Sequence, residues 1–318
     1  MALVLQLPTS VLQTTGPVAE GRGYSNPDGR GNPTAYALLA AAWAGSAAFL
    51  AAAPQKAAEF VFLADSQPAV QEPLFRILAL GLLAAATVNW VEKGAAENGD
   101  LDETIHRRAN GSLSFLAPAN LSLTTLSFLT NPILNPAAAL VVGTLSAAQW
   151  WVAGRNYAKY SPEGANPSKI LKSFISDFTD LREVDGLNST IYAALTASFV
   201  VAGFAYLFAP EPTLTAIFGD ADPKTASDVF LWQLIGSGIA TVVGPMAFTQ
   251  KEAAIQNNFS VPAKRTLMAG LAAASAGHVA VLAPLLGTER AGPLLFPLGF
   301  VWGVSAVASA LIAIKPKE

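Results

Sequence analysis

The sequence predicts an all-α integral membrane protein: about eight transmembrane helices, arranged as two tandem four-helix repeats in parallel orientation and joined by an amphipathic surface helix. Three observations lead there. First, the 318 residues are 52% hydrophobic and only 13% charged, with a mean hydropathy of +0.42. Soluble domains carry about 25% charged residues, so most of these side chains have no place in water. Second, residues 36–54 (YALLAAAWAGSAAFLAAAP) return 156 residues later as YAALTASFVVAGFAYLFAP at 192–210. Both runs are uncharged, open on a tyrosine (Tyr36, Tyr192) and close on a proline (Pro54, Pro210). Each is the length of a helix that crosses a bilayer. Third, the charges sort to one side, as shown below.

Apolar runs between charged or Pro/Gly breaks give the spans in order: 35–53, 72–91, 112–130, 136–154, 190–209, 227–248, 263–285 and 293–314. The third and fourth are the least regular, because Asn120 and Thr124 interrupt one and Asn131-Pro132 separates the two. A re-entrant pair is the alternative over 112–154. The organisation is then an extended N-terminal tail (1–34), a first repeat (35–154), a linker (155–189), a second repeat (190–314) and a short C-terminal tail (315–318).

With eight crossings, 15 of the 19 Lys and Arg fall on the side that bears both termini, here called side A. Lys56, Lys224 and Arg290 fall on side B, and Arg76 lies inside the second span. Cytoplasmic loops carry such an excess of positive charge, so both termini are expected on the cytoplasmic side, or the stromal side of a thylakoid. The sequons at Asn110, Asn188 and Asn258 all lie on side A and are expected to stay unmodified.

The 156-residue offset also pairs Phe62 with Phe218, Glu72 with Asp228, Leu78 with Leu234 and Ala84 with Ala240. Each unit has an even number of spans, so both units insert in the same orientation. The tail is rich in Gly and Pro and has little to bury. In the linker, Ile170, Leu171, Phe174, Ile175, Phe178 and Leu181 recur at helical spacing after a cap at Ser168. This pattern predicts an amphipathic strap along side A.

Composition excludes several functions. A net charge of −3 offers no basic field for nucleic acid. The absence of cysteine removes disulfides, thiolate metal sites and thiol catalysis. Only His106 and His278 are present, too few for a poly-His centre. His106 with Asp102 and Glu103 reads as a solvated loop cluster on side A.

The residues left to carry chemistry are few. Glu72 and Arg76 stand at i and i+4 where the second span begins, the spacing of a boundary ion pair. The pair resembles one in light-harvesting antenna proteins, where a helix glutamate binds magnesium and an arginine neutralises it. The resemblance is confined to these two residues, and it implies chlorophyll ligation at Glu72. At the same offset the second half has Asp228 and Trp232. His278 lies deep in a span, where an ionisable residue is a functional candidate by default, as an axial ligand or an interhelical hydrogen bonder. Gln149, Gln233 and Asn89 could ligate magnesium, although hydrogen bonds between helices are the commoner use. Trp90, Trp150, Trp151, Tyr157 and Tyr160 form an expected aromatic belt at side A.

The favoured function is a non-catalytic integral subunit: a scaffold, linker or accessory protein of a larger membrane complex, with a photosynthetic supercomplex as one setting. Its partners would be membrane lipids and other integral proteins, including photosystem or antenna subunits. Chlorophyll or carotenoid would be its cofactor, beside structural lipid. The alternative is a transporter or channel for a small neutral or lipophilic molecule between the two halves. A lipid-modifying enzyme is the weakest reading, because no acid–base pair or metal cluster is evident.

Overall fold

The computed structural model describes residues 31–161 and 180–314, together with Ser168 and Lys172. These residues are overwhelmingly helical, with no strand among them and one isolated bridge between Phe62 and Leu134. Among the described residues, eight helices are long and apolar enough to cross a membrane. The expected strap over 168–184 lies almost wholly outside the described residues. Only the 3₁₀ turn Asp180–Arg182 belongs to its end.

The first half runs α1 (Pro33–Ala52), α2 (Pro54–Val61), α3 (Gln71–Asn98), α4 (Thr104–Thr130) and α5 (Pro136–Tyr160). The second runs α6 (Gly186–Phe208), α7 (Pro210–Phe218), α8 (Ala226–Gly238), a π-helical turn (Ile239–Val243), α9 (Gly244–Ile255), α10 (Pro262–Leu282) and α11 (Leu295–Ile314). Residues 112–130 and 136–154 lie in two helices, α4 and α5, of 27 and 25 residues, with the turn 131–135 between them.

Prolines set the corners. Pro54 has no N–H to continue α1, so the chain breaks at Ala53 (φ −138°, ψ 58°) and restarts as the short α2. The corner recurs at Ala209 (φ −133°, ψ 57°) before Pro210 and α7. In the first half, the Asn135 N–H donates to Val61 O (2.9 Å); in the second, the Gly292 N–H donates to Ile217 O (3.0 Å). These contacts gather α2, α7 and the turns into α5 and α11 at one end of the bundle, the B end.

Two helices form the centre. The α8–π–α9 rod is 72% buried over its apolar stretch and α3 is 56% buried, whereas α5 and α11 are each only 22% buried and lie outermost. Asp228 joins the two central helices at the B end. Its side chain and Thr225 cap α8 reciprocally, and its carboxylate also accepts from the N–H groups of Ala69 (3.1 Å) and Val70 (3.0 Å) just before α3. Glycines bring α6 and α8 together: a Cβ on Gly203 would lie 2.5 Å from Ala240 N, and one on Gly236 2.7 Å from Gly203 O. Such small-residue contacts are how helices pack where lipid supplies no hydrophobic drive.

Candidate functional site

A cavity opens in the B-end half of the bundle, between the two halves of the chain. Its interior space is about 150 Å³, or about 1240 Å³ when the open volume at its mouth is included. It is walled by α1, α2, the first turns of α3, the later turns of α4, the start of α5, α8 with the π turn, and His278 of α10. Small residues leave the room: Gly81 and Ala85 on α3, Ala138 and Ala139 on α5, Gly238 at the head of the π turn. A Cβ on Gly81 or on Gly238 would meet no atom within 4 Å. The rest of the wall is aliphatic and aromatic, including Trp43, Phe75 and Phe230. Phe49 and Phe60 stand edge-to-face at 6.5 Å on the rim and are 42% exposed each. No charged side chain lines the space; its polar members are Ser46, Asn120, Thr124 and His278.

His278 is buried and held on two sides. Its ring stacks on Trp302 at 3.7 Å and 8°, and Trp302 leans on Phe199 at 4.6 Å. Nδ1 lies 2.8 Å from the Ala274 carbonyl one turn back. The carbonyl can only accept, so Nδ1 carries its hydrogen and, in the uncharged ring, Nε2 presents a lone pair. Nε2 has no protein partner, and neither does Thr124 Oγ1; both atoms are buried. The Asn120 Oδ1 is occupied, accepting from the Ser237 hydroxyl at 2.8 Å.

The other sequence candidates fall in separate places. Asn89 and Gln149 come together: Gln149 Oε1 accepts from Trp43 Nε1 and from Asn89 Nδ2, both at 2.9 Å. This knot ties α1, α3 and α5, with Asn89 Oδ1, Gln149 Nε2 and the nearby Ser146 Oγ left unpartnered. Because the Gln149 oxygen already takes two donors, the knot reads first as interhelical hydrogen bonding. Gln233 is half-buried, and its Nε2 donates to Leu207 O at 3.1 Å near the end of α6. Glu72 and Arg76 form a 2.5 Å ion pair on α3, with side chains 56% and 46% exposed. Their counterpart Asp228 is instead fully buried in its cap.

The largest departure from the sequence reading lies at the A end. His106 is not a solvated loop residue: it sits in the first turn of α4, buried, with Nδ1 2.8 Å from Glu92 Oε1. Glu92 is wholly buried, because α3 continues past residue 91 to Asn98. Asn110 Nδ2 donates to Glu92 Oε2 (2.5 Å), the Tyr36 hydroxyl donates to Asn110 Oδ1, and Asn156 Nδ2 donates to the Tyr36 oxygen (2.8 Å). All four long helices of the first half thus meet in one buried polar network. Beside it, Arg108 of α4 makes two bonds to Glu252 of α9 (2.5 and 3.0 Å) and joins the halves. Asn110 is 1% exposed inside this network, so its sequon is unreachable. Of the expected belt, Trp90, Trp150 and Trp151 are exposed, whereas Tyr157 is buried, packed over Gly111.

The network was readable in principle. Glu92 lies three residues after Asn89 on the buried face of α3, and His106, Asn110 and Ser114 share one face of α4 at i, i+4, i+8. Among the described residues, no three His, Cys, Asp or Glu side chains converge as a metal site. No protein-family model matches the chain, and no curated protein is significantly similar to it.

Proposed function

We propose that the protein is a non-catalytic multi-pass membrane protein that holds a lipophilic small molecule in the cavity between its two halves. The observation that carries this reading is the cavity itself: uncharged, apolar, rimmed by exposed aromatics and lined by only four polar residues, Ser46, Asn120, Thr124 and His278. Ligand sites are typically concave and apolar with a few placed polar groups.

The tandem duplication belongs to the same proposal. It is supported by the Ala53/Ala209 corner, the paired carbonyls Val61 and Ile217, and matching contacts of α1 with α5 and α6 with α11. In these, Tyr36 bonds Asn156 as Tyr192 meets Ser309 at 3.2 Å, and Trp43 meets Gln149 as Phe199 meets Trp302. An even four spans per unit supports parallel insertion of the repeats, and the charge bias supports a cytoplasmic or stromal side for both termini. In a photosynthetic membrane the held molecule would be a chlorophyll or carotenoid, and the chain an accessory subunit beside pigment proteins.

The second reading, transport of such a molecule, is favoured by the cavity's place at the junction of the halves. Against it stands the A end, where the buried Glu92 network and the Arg108–Glu252 pair tie the helices together. Solvent extraction of the purified, detergent-washed protein should release one apolar molecule per chain, and proteoliposomes should show no flux of it. Flux would move transport to first place. Release of nothing beyond bulk lipid would reject both readings.

A further inference from the structure

We propose that the cleft between the start of α1 and the end of α5 binds an anionic phospholipid of the side-A leaflet, its phosphate held by Arg155 and Lys159 and its acyl chains passing Trp151. The proposal is independent of whether the central cavity holds a molecule.

The argument starts from the spacing. Trp151, Arg155 and Lys159 stand at i, i+4 and i+8 on α5 and share one face. That face lines a cleft whose opposite wall is Gly31, Asn32 and Ala35, where α1 begins. The interior space is about 310 Å³, larger than that of the central cavity. The cleft is rooted in the bundle: Asn156 also lines it, is only 8% exposed, and is fixed by donating to the Tyr36 oxygen at 2.8 Å. Through Tyr36 it is seated on the buried Glu92 network. No acidic side chain among the described residues lines the cleft. Arg155 is exposed and has no ion-pair partner among the described residues. Lys159 is exposed as well, with Nζ over the Tyr160 ring at 5.2 Å. The positive end of the α1 dipole adds to the same field. Two cations one turn apart with no lining carboxylate suit a phosphate. Trp151, 69% exposed, stands one turn nearer the bilayer, as an interfacial tryptophan does. A soluble anion would leave that ring bare, whereas a phospholipid brings phosphate and hydrocarbon together. A zwitterionic lipid carries its own ammonium and leaves the net positive charge unmatched. The charge bias supports a cytoplasmic side A, the leaflet that carries anionic lipids, and basic pockets between spans on that side bind their head groups.

The test uses the full chain in detergent micelles and two probes with the same acyl chains, dioleoylphosphatidylglycerol and dioleoylphosphatidylcholine, whose competition is read by native mass spectrometry. The unaltered protein should retain the glycerol lipid about thirtyfold better than the choline lipid, from about fivefold for each of two cations. The preference should collapse in Arg155→Gln/Lys159→Gln. It should persist in Lys93→Gln/Arg107→Gln, which removes two charges from the same side but outside the cleft. All four residues are at least partly exposed, so these variants keep the fold. Equal retention of the two lipids by the unaltered protein would overturn the proposal. So would a preference that survives in Arg155→Gln/Lys159→Gln, or one that falls equally in both double variants, which would mean a diffuse field in place of a site. Binding of glycerol 3-phosphate as tight as that of the glycerol lipid would assign the cations to a soluble phosphate and overturn the lipid reading. None of these variants touches the lining of the central cavity, so failure here leaves that reading standing.

Discussion

The contact between α6 and α8 gives the sharpest stability prediction. In Gly203→Ala the new methyl carbon would lie 2.5 Å from Ala240 N and 2.8 Å from both Ala240 Cβ and Gly236 O. Two of these three atoms are backbone, so no flexible side-chain end can swing away. Ordinary contacts to carbon are about 3.5 Å, so the helices must part by about 1 Å. Overpacking of this kind costs up to about 3 kcal/mol. The alanine returns roughly 1 kcal/mol of helix propensity, leaving a net loss of about 2 kcal/mol, a factor of ~30 in the folded ratio. Gly45→Ala on α1 is the matched control: its Cβ meets nothing within 4 Å, so it keeps the propensity gain alone. The two variants should therefore differ by about 3 kcal/mol in SDS-induced unfolding from mixed micelles, followed by tryptophan fluorescence. If Gly203→Ala unfolds at the same SDS fraction as Gly45→Ala, the close approach of these helices is wrong.

Three other outcomes are expected. Glu92→Leu strips His106 and Asn110 of their buried acceptor and should cost about 3–5 kcal/mol, clearly more than Glu92→Gln; equal melting of the two variants would deny the network any structural role. Arg108→Ala should cost about 2 kcal/mol, and adding Glu252→Ala should cost little more; full additivity in this double-mutant cycle would mean the pair is not coupled across the halves. Because the chain has no cysteine, single-cysteine variants report topology cleanly. Lys56→Cys and Arg155→Cys, both exposed, should label from opposite faces of sealed vesicles, and labelling from the same face would refute an odd number of crossings between them.

The eight long helices were legible because length and apolarity are local properties of a run, and the proline corners because proline acts on its own residue. The inner ends of α3 and α4 were not. A hydropathy boundary stops at the first charge, and Glu92 and His106 each look like a terminus when taken alone. Only their meeting across two helices makes burial tolerable, and a pairing between residues 14 apart in sequence, on different helices, has no local signature. His278 is legible in the sequence as a histidine within an apolar run, but its stack on Trp302 depends on α11, and the cavity it borders depends on the space beside α3. That space is a negative feature, set by where Gly81, Gly238 and Ala138 fail to fill the gap between halves, and no single residue encodes it. The Glu72–Arg76 pair shows the converse: a motif conspicuous in sequence that the fold leaves on an exposed helix face.

The central claim is that the cavity holds a molecule, and filling the cavity tests it. Native mass spectrometry of the purified protein should be run beside Gly81→Phe, which projects a ring into open space, and Gly81→Ala, which barely changes it. The account predicts one retained lipophile per chain in the unaltered protein and in Gly81→Ala, and its loss from a folded Gly81→Phe. Equal retention in all three proteins, or no added mass in any, would contradict it.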